Sequence, residues 1–145
     1  MVELFIKFKN ALNKLIDLPP LLFRLILSYG FYEPAMRKMS NVNAIAEWFA
    51  GMNYPFPTLN AYMATITETS GFILLFLGLG TRIISIPLSV VMLVAIFTVH
   101  IDNGFHAGNN GFEIPLYYLS MLFSLIVIGP GKYSIDAFIK RRFSK

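Results

Sequence analysis

The chain has 145 residues, of which 56% are hydrophobic and only 14% are charged, and its net charge is +4. Soluble domains carry about 25% charged residues, so this composition excludes an ordinary soluble domain. The sequence contains no cysteine, which excludes a disulfide framework, thiolate chemistry and a cysteine-held iron–sulfur cluster on this chain. Nothing in the modest positive charge indicates a nucleic-acid partner.

The first predicted element, residues 1–18, is an amphipathic helix. A face of leucine, phenylalanine and isoleucine lies opposite a polar stripe at helical spacing, formed by Glu3, Lys7, Asn10, Lys14 and Asp17. This pattern is typical of an interfacial helix that lies among lipid headgroups. A short soluble helix that packs on a partner protein is the alternative.

Four apolar segments of about the length of a bilayer-spanning helix follow, at residues 20–39, 59–79, 82–101 and 112–128. The last three are apolar all round, and the first is interrupted by Arg24, Glu33 and Arg37. They predict an all-α membrane protein, a four-transmembrane-helix bundle that forms a single domain over residues 1–145. A short helix at 44–51, capped by Asn43, is predicted in the first outer loop, and residues 129–145 are predicted to be a basic tail.

The distribution of lysine and arginine predicts the orientation. These residues precede the first span, stand in the turn between spans two and three, and follow span four, whereas residues 40–58 and 102–111 contain none. The positive-inside rule therefore places both termini in the cytoplasm. Arg37 and Lys38, at the outer end of span one, are the exceptions.

Helical spacing places one ionisable side chain of each span at the outer end of the bundle. Glu68 shares a face with Gly71 and is expected to point inward, within reach of His100 or Glu113. His100 closes a polar stripe of span three, Glu113 begins span four, and Glu33 shares a face with Gly30 and Arg37 in span one.

Simpler explanations exist for several charged residues. Glu33 and Arg37 are four residues apart and can neutralise each other. The side chain of Arg24 can snorkel to the headgroups, and His106 can be an ordinary loop histidine.

The sequence resembles the DoxX family of small four-helix bacterial membrane proteins over residues 21–138. The matching segments are "RLILSYGFYEPAMRK", "AEWFAGMNYPFPTLNAY", "TETSGFILLFLGLGTR", "VMLVAIFTVHIDNGF", "GFEIPLYYL" and "GPGKYSID". Within the family, it is most similar to the branch found beside genes for metal-binding peptides. The resemblance implies a multi-pass protein of the bacterial inner membrane, and some relatives are linked to quinone-dependent sulfur oxidation or to oxidative-stress complexes.

Three functions compete at this point. The first is a quinone-linked or redox-related accessory subunit of a membrane oxidoreductase, whose electrons come from a membrane or periplasmic partner protein. Its acid–base residues would be Glu68, His100 and Glu113, and its quinone site would be formed by Glu33, Tyr29, Tyr32, Tyr117 and Trp48. The second is metal handling, with a transition metal bound by His100, Asp102 and His106. The third is a non-catalytic assembly subunit.

Overall fold

The computed structural model describes residues 1–143, so Ser144 and Lys145 of the predicted basic tail lie outside the described residues. Residues 1–143 form helices and connecting turns without a strand, which confirms the predicted all-α class. The α-helices are α1 (Val2–Asn13), α2 (Leu18–Ser40), α3 (Val42–Gly51), α4 (Pro57–Leu77), α5 (Thr81–Ala95), α6 (Glu113–Ile128) and α7 (Ile135–Phe143). A π-helix (Ile96–His100) and a 3₁₀ turn (Ile101–Asn103) extend α5, and a second 3₁₀ turn covers Ala107–Asn109.

The four long helices pack in a closed ring, in which α2 contacts α4 and α6, and α5 contacts α4 and α6. Neighbours in the ring run antiparallel. Their shared core consists of Leu27, Phe31, Leu75, Ile84, Leu88, Met92, Leu122 and Leu125. We call the end of the ring that carries α1, the α4–α5 turn and α7 the termini end. The opposite end, which carries α3 and residues 101–112, is the loop end.

Two helical stretches of the described chain are long and apolar enough to cross a membrane. They are Val2–Ser40, which joins α1 to α2, and Thr81–Asn103, which contains α5. Helix α6 is apolar but shorter. The outer surfaces of the ring expose many large apolar side chains, among them Ile26, Ile66, Phe76, Ile83, Val90, Phe97, Phe123 and Val127. A continuous apolar exterior of this kind is typical of contact with lipid.

The turn between α4 and α5 is built on glycine. Gly78 ends α4 with φ of 68° and Gly80 precedes α5 with φ of 58°, a left-handed conformation that costs side-chain-bearing residues energy. The turn therefore reverses the chain within three residues. Its tightness brings the start of α5 beside the end of α4, as an antiparallel pair requires.

Several sequence predictions of local structure differ from the fold. The short loop helix begins at Val42 rather than at residue 44, and its cap is Asn41, whose side-chain oxygen accepts a hydrogen bond from the Ala44 N–H at 3.1 Å. The predicted cap at Asn43 was therefore wrong. The segment predicted as a tail contains helix α7. Ser134 caps the start of this helix, because its hydroxyl accepts a hydrogen bond from the Ala137 N–H at 3.1 Å.

Arg24 does not snorkel to the surface. Its side chain is 2% exposed, and its guanidinium donates to the carbonyl oxygens of Pro130 and Tyr133 at 3.2 and 2.9 Å. A guanidinium can satisfy several carbonyls at once, whereas a headgroup contact would leave those carbonyls without donors. Arg24 thus ties α2 to the segment between α6 and α7 at the termini end.

Asp136 makes a second tie at the termini end. Its two carboxylate oxygens accept the N–H groups of Gly80 and Thr81, at 2.8 and 3.1 Å, and its own N–H donates to Gly78 at 3.0 Å. The N–H groups at a helix start have no partner within the helix, so a carboxylate there is stabilising. The α4–α5 turn and the start of α7 therefore form one structural junction.

Candidate functional site

The most buried carboxyl group of the described chain forms an ion pair with a lysine. Glu68 on α4 is 3% exposed, which confirms that it points inward, and the Lys38 ammonium on α2 lies 2.6 and 2.5 Å from its two carboxylate oxygens. Lys38 itself is largely buried, with 18% of its side chain exposed. The pair lies near the loop end and joins the two helices.

The helix geometry explains how Lys38 reaches Glu68. Side chains of a helix lean toward its N-terminus, so Lys38 extends back along α2 toward the middle of the ring. Leu27, Phe31 and Ala35 precede Lys38 at helical spacing, and all three are buried. Lys38 therefore continues the inward face of α2.

The sequence did not indicate this partner for Glu68. Among residues 1–143, Glu68 has no hydrogen bond to His100 or Glu113, the two partners expected from the sequence. The signal that could have found Lys38 was its position. It stands on the apolar face of α2, at an end where the charge rule disfavours lysine.

His100 and Glu113 both hold the loop end in shape. The His100 Nδ1 lies 2.7 Å from the Asn110 carbonyl oxygen. Glu113 accepts hydrogen bonds from the Ala107 N–H at 2.9 Å and from the Tyr117 hydroxyl at 3.0 Å. These contacts fix both ends of residues 101–112, so each side chain has a structural role independent of any chemistry.

The residues of the predicted metal site are not gathered together. Asp102 and His106 are exposed, and His106 packs against the Phe105 ring. Over the described part of the chain, no group of three or more histidine, aspartate or glutamate side chains is arranged to hold a metal ion. The geometry therefore provides no support for metal binding by His100, Asp102 and His106.

An apolar groove of about 460 Å³ lies between α2 and α4, open to the outer surface. Tyr29, Tyr32 and Phe72 line it, and the Tyr32 and Phe72 rings meet edge to face at 5.5 Å. The Ser28 hydroxyl donates to the Phe72 carbonyl at 2.7 Å, which holds the two helices together at this level. Glu68 precedes Phe72 by one helical turn on α4, but neither Glu68 nor Lys38 lines the groove.

The other predicted quinone-site residues lie elsewhere. Glu33 does not line the groove, and the simpler explanation given for it, neutralisation by Arg37, is confirmed. It pairs with Arg37 at 2.6 Å on the outer surface, with about three-quarters of each side chain exposed. Trp48 stands on α3, where it packs against Phe49, and Tyr117 stands on α6 against Glu113. Of the predicted set, only Tyr29 and Tyr32 share a cavity.

Comparison with known proteins identifies the family. The DoxX family profile matches residues 20–101, more than half of the chain. The chain belongs to the DoxX family. This is a family of membrane proteins, which agrees with the apolar exterior of the ring. The matched DoxX region contains both the Lys38–Glu68 pair and the groove, whereas Glu113 lies outside it.

Two DoxX-like relatives cover most of the chain. A protein of Haemophilus influenzae, named "Uncharacterized protein", is 33% identical over an alignment of 129 residues, and the match covers 83% of this chain and 83% of that protein. A Bacillus subtilis protein, named "Putative oxidoreductase CatD", is 28% identical over an alignment of 130 residues, and the match covers 88% of this chain and 92% of that protein. No solved structure matches.

Proposed function

We propose that this DoxX-family protein is a quinone-linked accessory subunit of a membrane oxidoreductase. The observation that supports this proposal best is the apolar groove between α2 and α4, which opens on the outer surface and whose residue Phe72 is one helical turn from Glu68 of the buried ion pair. The name of the Bacillus subtilis relative points to the same class of reaction.

The dimensions and lining of the groove fit a lipid-soluble ring. Its volume of about 460 Å³ lies within the usual range of about 300–1,000 Å³ for small-molecule sites. Its walls are aromatic and aliphatic, and Ser28, Tyr29 and Tyr32 add hydroxyl groups. Because the groove is open to the outer surface, a ligand could enter it from the lipid phase without crossing water.

A quinone supplies two-electron chemistry that is coupled to proton transfer. Tyr29 and Tyr32 would position the ring through their aromatic faces and hydroxyl groups. The ammonium of Lys38 and the carboxylate of Glu68 are the nearest buried groups that can exchange protons. The chain has no cysteine for a redox centre of its own, so a partner protein would supply or accept the electrons.

The membrane arrangement is part of the proposal. The four long helices would all span the bacterial inner membrane, with the lysine- and arginine-rich termini end in the cytoplasm. Helix α1, which has no buried residue, would lie among the headgroups. The loop end, with α3 and Trp48, would face outward toward the partner.

The test is quinone retention by the protein purified in native-membrane nanodiscs. The parent should carry quinone in excess of the surrounding lipid, as measured by extraction and chromatography. Ile73→Trp, which adds bulk within the groove, should lower the retained quinone severalfold. Ile86→Trp is the matched control, because Ile86 is also exposed (55%, against 44% for Ile73) and stands on α5 outside the groove, so this variant should retain the parent level.

Other results would contradict the proposal. Quinone at the level of bulk lipid, or an equal loss in both tryptophan variants, would remove the groove as a quinone site. Elemental analysis of the same samples tests metal handling, because a metal-binding protein would co-purify with a transition metal. Retention of neither quinone nor metal would favour the assembly subunit.

A further inference from the structure

A second cavity lies at the termini end, far from the groove. It has a volume of about 500 Å³ and lies between the start of α5 and the segment that leads into α7. It shares no residue with the groove between α2 and α4. Its lining is both charged and apolar: it includes the side chains of Arg82, Asp136 and Lys140 as well as that of Ile83.

Arg82 is held in place at the mouth of this cavity. Its Nη2 donates to the carbonyl oxygens of Val127 and Ile128, each at 3.2 Å. The guanidinium lies against Gly129, where an added Cβ would come within 3.0 Å of Nε. Within residues 1–143, Nε and Nη1 donate to no protein acceptor, so donors remain for an anionic ligand.

The single acidic residue of the cavity is already engaged. Both carboxylate oxygens of Asp136 accept backbone N–H groups, from Gly80 and Thr81. Lys140 lines the cavity from α7 and forms no salt bridge with any described residue. The cavity is therefore lined by two cations on different helices and by one carboxylate whose oxygens already accept hydrogen bonds. This balance of charge favours binding of an anion in the cavity.

The surroundings indicate where that anion comes from. Ile83 is 76% exposed beside Arg82, and Phe138 and Phe143 are exposed on α7 among Lys140, Arg141 and Arg142. A helix that mixes exposed aromatic and basic residues is typical of the membrane surface. In the membrane arrangement proposed above, on which this inference rests, the cavity would therefore lie where headgroups and acyl chains meet.

We propose that this cavity binds an anionic phospholipid of the surrounding membrane. Arg82 and Lys140 hold its phosphate, and Ile83 contacts the start of an acyl chain. A planar guanidinium and a flexible ammonium together suit a phosphate monoanion, the first as a fork of donors and the second as a point charge. The inference does not depend on quinone binding, because the groove lies outside the cavity.

The test compares phosphatidylglycerol with phosphatidylcholine in mixed detergent micelles, with bound lipid counted by native mass spectrometry. The parent should retain more phosphatidylglycerol than phosphatidylcholine. Lys140→Gln should lower this retention about fivefold, the usual effect of one interfacial cation. Arg82→Gln with Lys140→Gln should abolish the preference. Lys140→Gln carries the test, because Lys140 is exposed and its loss leaves the Arg82 contacts with the Val127 and Ile128 carbonyls in place.

The control is Lys7→Gln with Lys9→Gln, which removes two exposed positive charges from α1 outside the cavity. It should leave the retention of phosphatidylglycerol unchanged. An equal loss in this control would mean a diffuse surface attraction and would overturn the proposal. So would equal retention of the two lipids, or displacement of phosphatidylglycerol by millimolar inorganic phosphate.

Discussion

Lys38 and Glu68 face each other from neighbouring antiparallel helices, and the lysine ammonium lies 2.5 and 2.6 Å from the two carboxylate oxygens. A buried pair of this kind holds its two helices in one register, because neither charge can be left alone at low cost. Glu68 is also one helical turn from Phe72, which lines the groove between α2 and α4. Mutations of this pair can therefore test its contribution to folding stability separately from its contribution to proton exchange.

The first prediction concerns the pair itself. Lys38→Met leaves the Glu68 carboxyl buried without a partner and should destabilise the protein by about 3–5 kcal/mol. The double variant Lys38→Met with Glu68→Leu should recover most of this loss, because neither charge remains. The single variant Glu68→Leu completes the cycle, and thermal unfolding in one detergent measures all three variants. Additive losses in the double variant would show that the two residues do not stabilise the fold as a pair.

Glu68→Gln separates structure from proton exchange. Glutamine keeps the volume and can still accept a hydrogen bond from the Lys38 ammonium, but it leaves that ammonium without its counter-charge. The variant should therefore still insert, with a lower melting temperature than the parent. Quinone retention should remain at the parent level, whereas quinone turnover with the partner complex should fall at least tenfold. Normal turnover would assign Glu68 to helix packing alone.

Arg24 gives a prediction for the termini end. Arg24→Met leaves the carbonyls of Pro130 and Tyr133 without their donor and should cost about 2–5 kcal/mol of folding stability. Arg37→Met is the matched control, because Arg37 forms an exposed pair with Glu33 and should change stability by less than about 1 kcal/mol. Equal melting temperatures for the two variants would contradict a structural role for Arg24.

Gly30 marks a close contact between α2 and α6. A Cβ at this position would overlap the hydroxyl of Tyr118, so Gly30→Ala should destabilise the protein by about 1–3 kcal/mol. Tyr118→Leu in the same chain should relieve part of the overlap. Gly51→Ala is the control, since nothing lies within 4 Å of its added Cβ and alanine favours the end of α3. An unchanged melting temperature for Gly30→Ala would mean that α2 and α6 lie further apart than described.

A pH prediction concerns the Asp17–Lys132 contact outside the spans. The hydrogen bond with Asp17 raises the pKa of Lys132 above its usual value, so the folded state favours the charged ammonium. The resulting stabilisation is present below the unfolded pKa of lysine and is lost as the pH rises through the raised pKa. Asp17→Asn can still accept the Lys132 N–H, so it should melt slightly lower at pH 8 and equally at about pH 12. A difference that persists at high pH would not come from the ion pair.

The proposed topology can be checked with single cysteines, because the chain has none of its own. Asn109→Cys, in the exposed loop end, should react with an impermeant maleimide on intact cells. Phe143→Cys, exposed on α7, should react only after permeabilisation. The reverse pattern would invert the orientation, and labelling of both sites on intact cells would mean that α6 does not cross the membrane.

Much of the fold could be predicted from the sequence, because helix formation depends on local apolar periodicity. The positions of α2, α4, α5 and α6 and the burial of Glu68 were accessible in this way. The contact between α2 and α4 was not, since spacing within a helix does not identify the facing helix. The partner of Glu68 was therefore sought on the later spans, although it lies on α2.

The termini end shows a second limit of sequence reasoning. Asp136 binds the start of α5, whose residues precede it by more than fifty positions, and Arg24 binds carbonyls more than one hundred positions away. Backbone carbonyls carry no signature in the sequence, so Arg24 was interpreted by its charge alone. Helix α7 was missed for a related reason, because a basic segment after the last span has the composition of a tail.

The π-helix at Ile96–His100 has a consequence for how related chains should be aligned. In this segment the N–H of Ile101 bonds to the carbonyl of Ile96, five residues back, so the turn holds one residue more than an α-helical turn. Ile96 is buried, whereas His100 is turned partly outward toward the Asn110 carbonyl. A homologue shorter by one residue here would have an unbroken α-helix and would carry its histidine on the inner face. A single gap in an alignment would thus mark a change in the direction of a side chain.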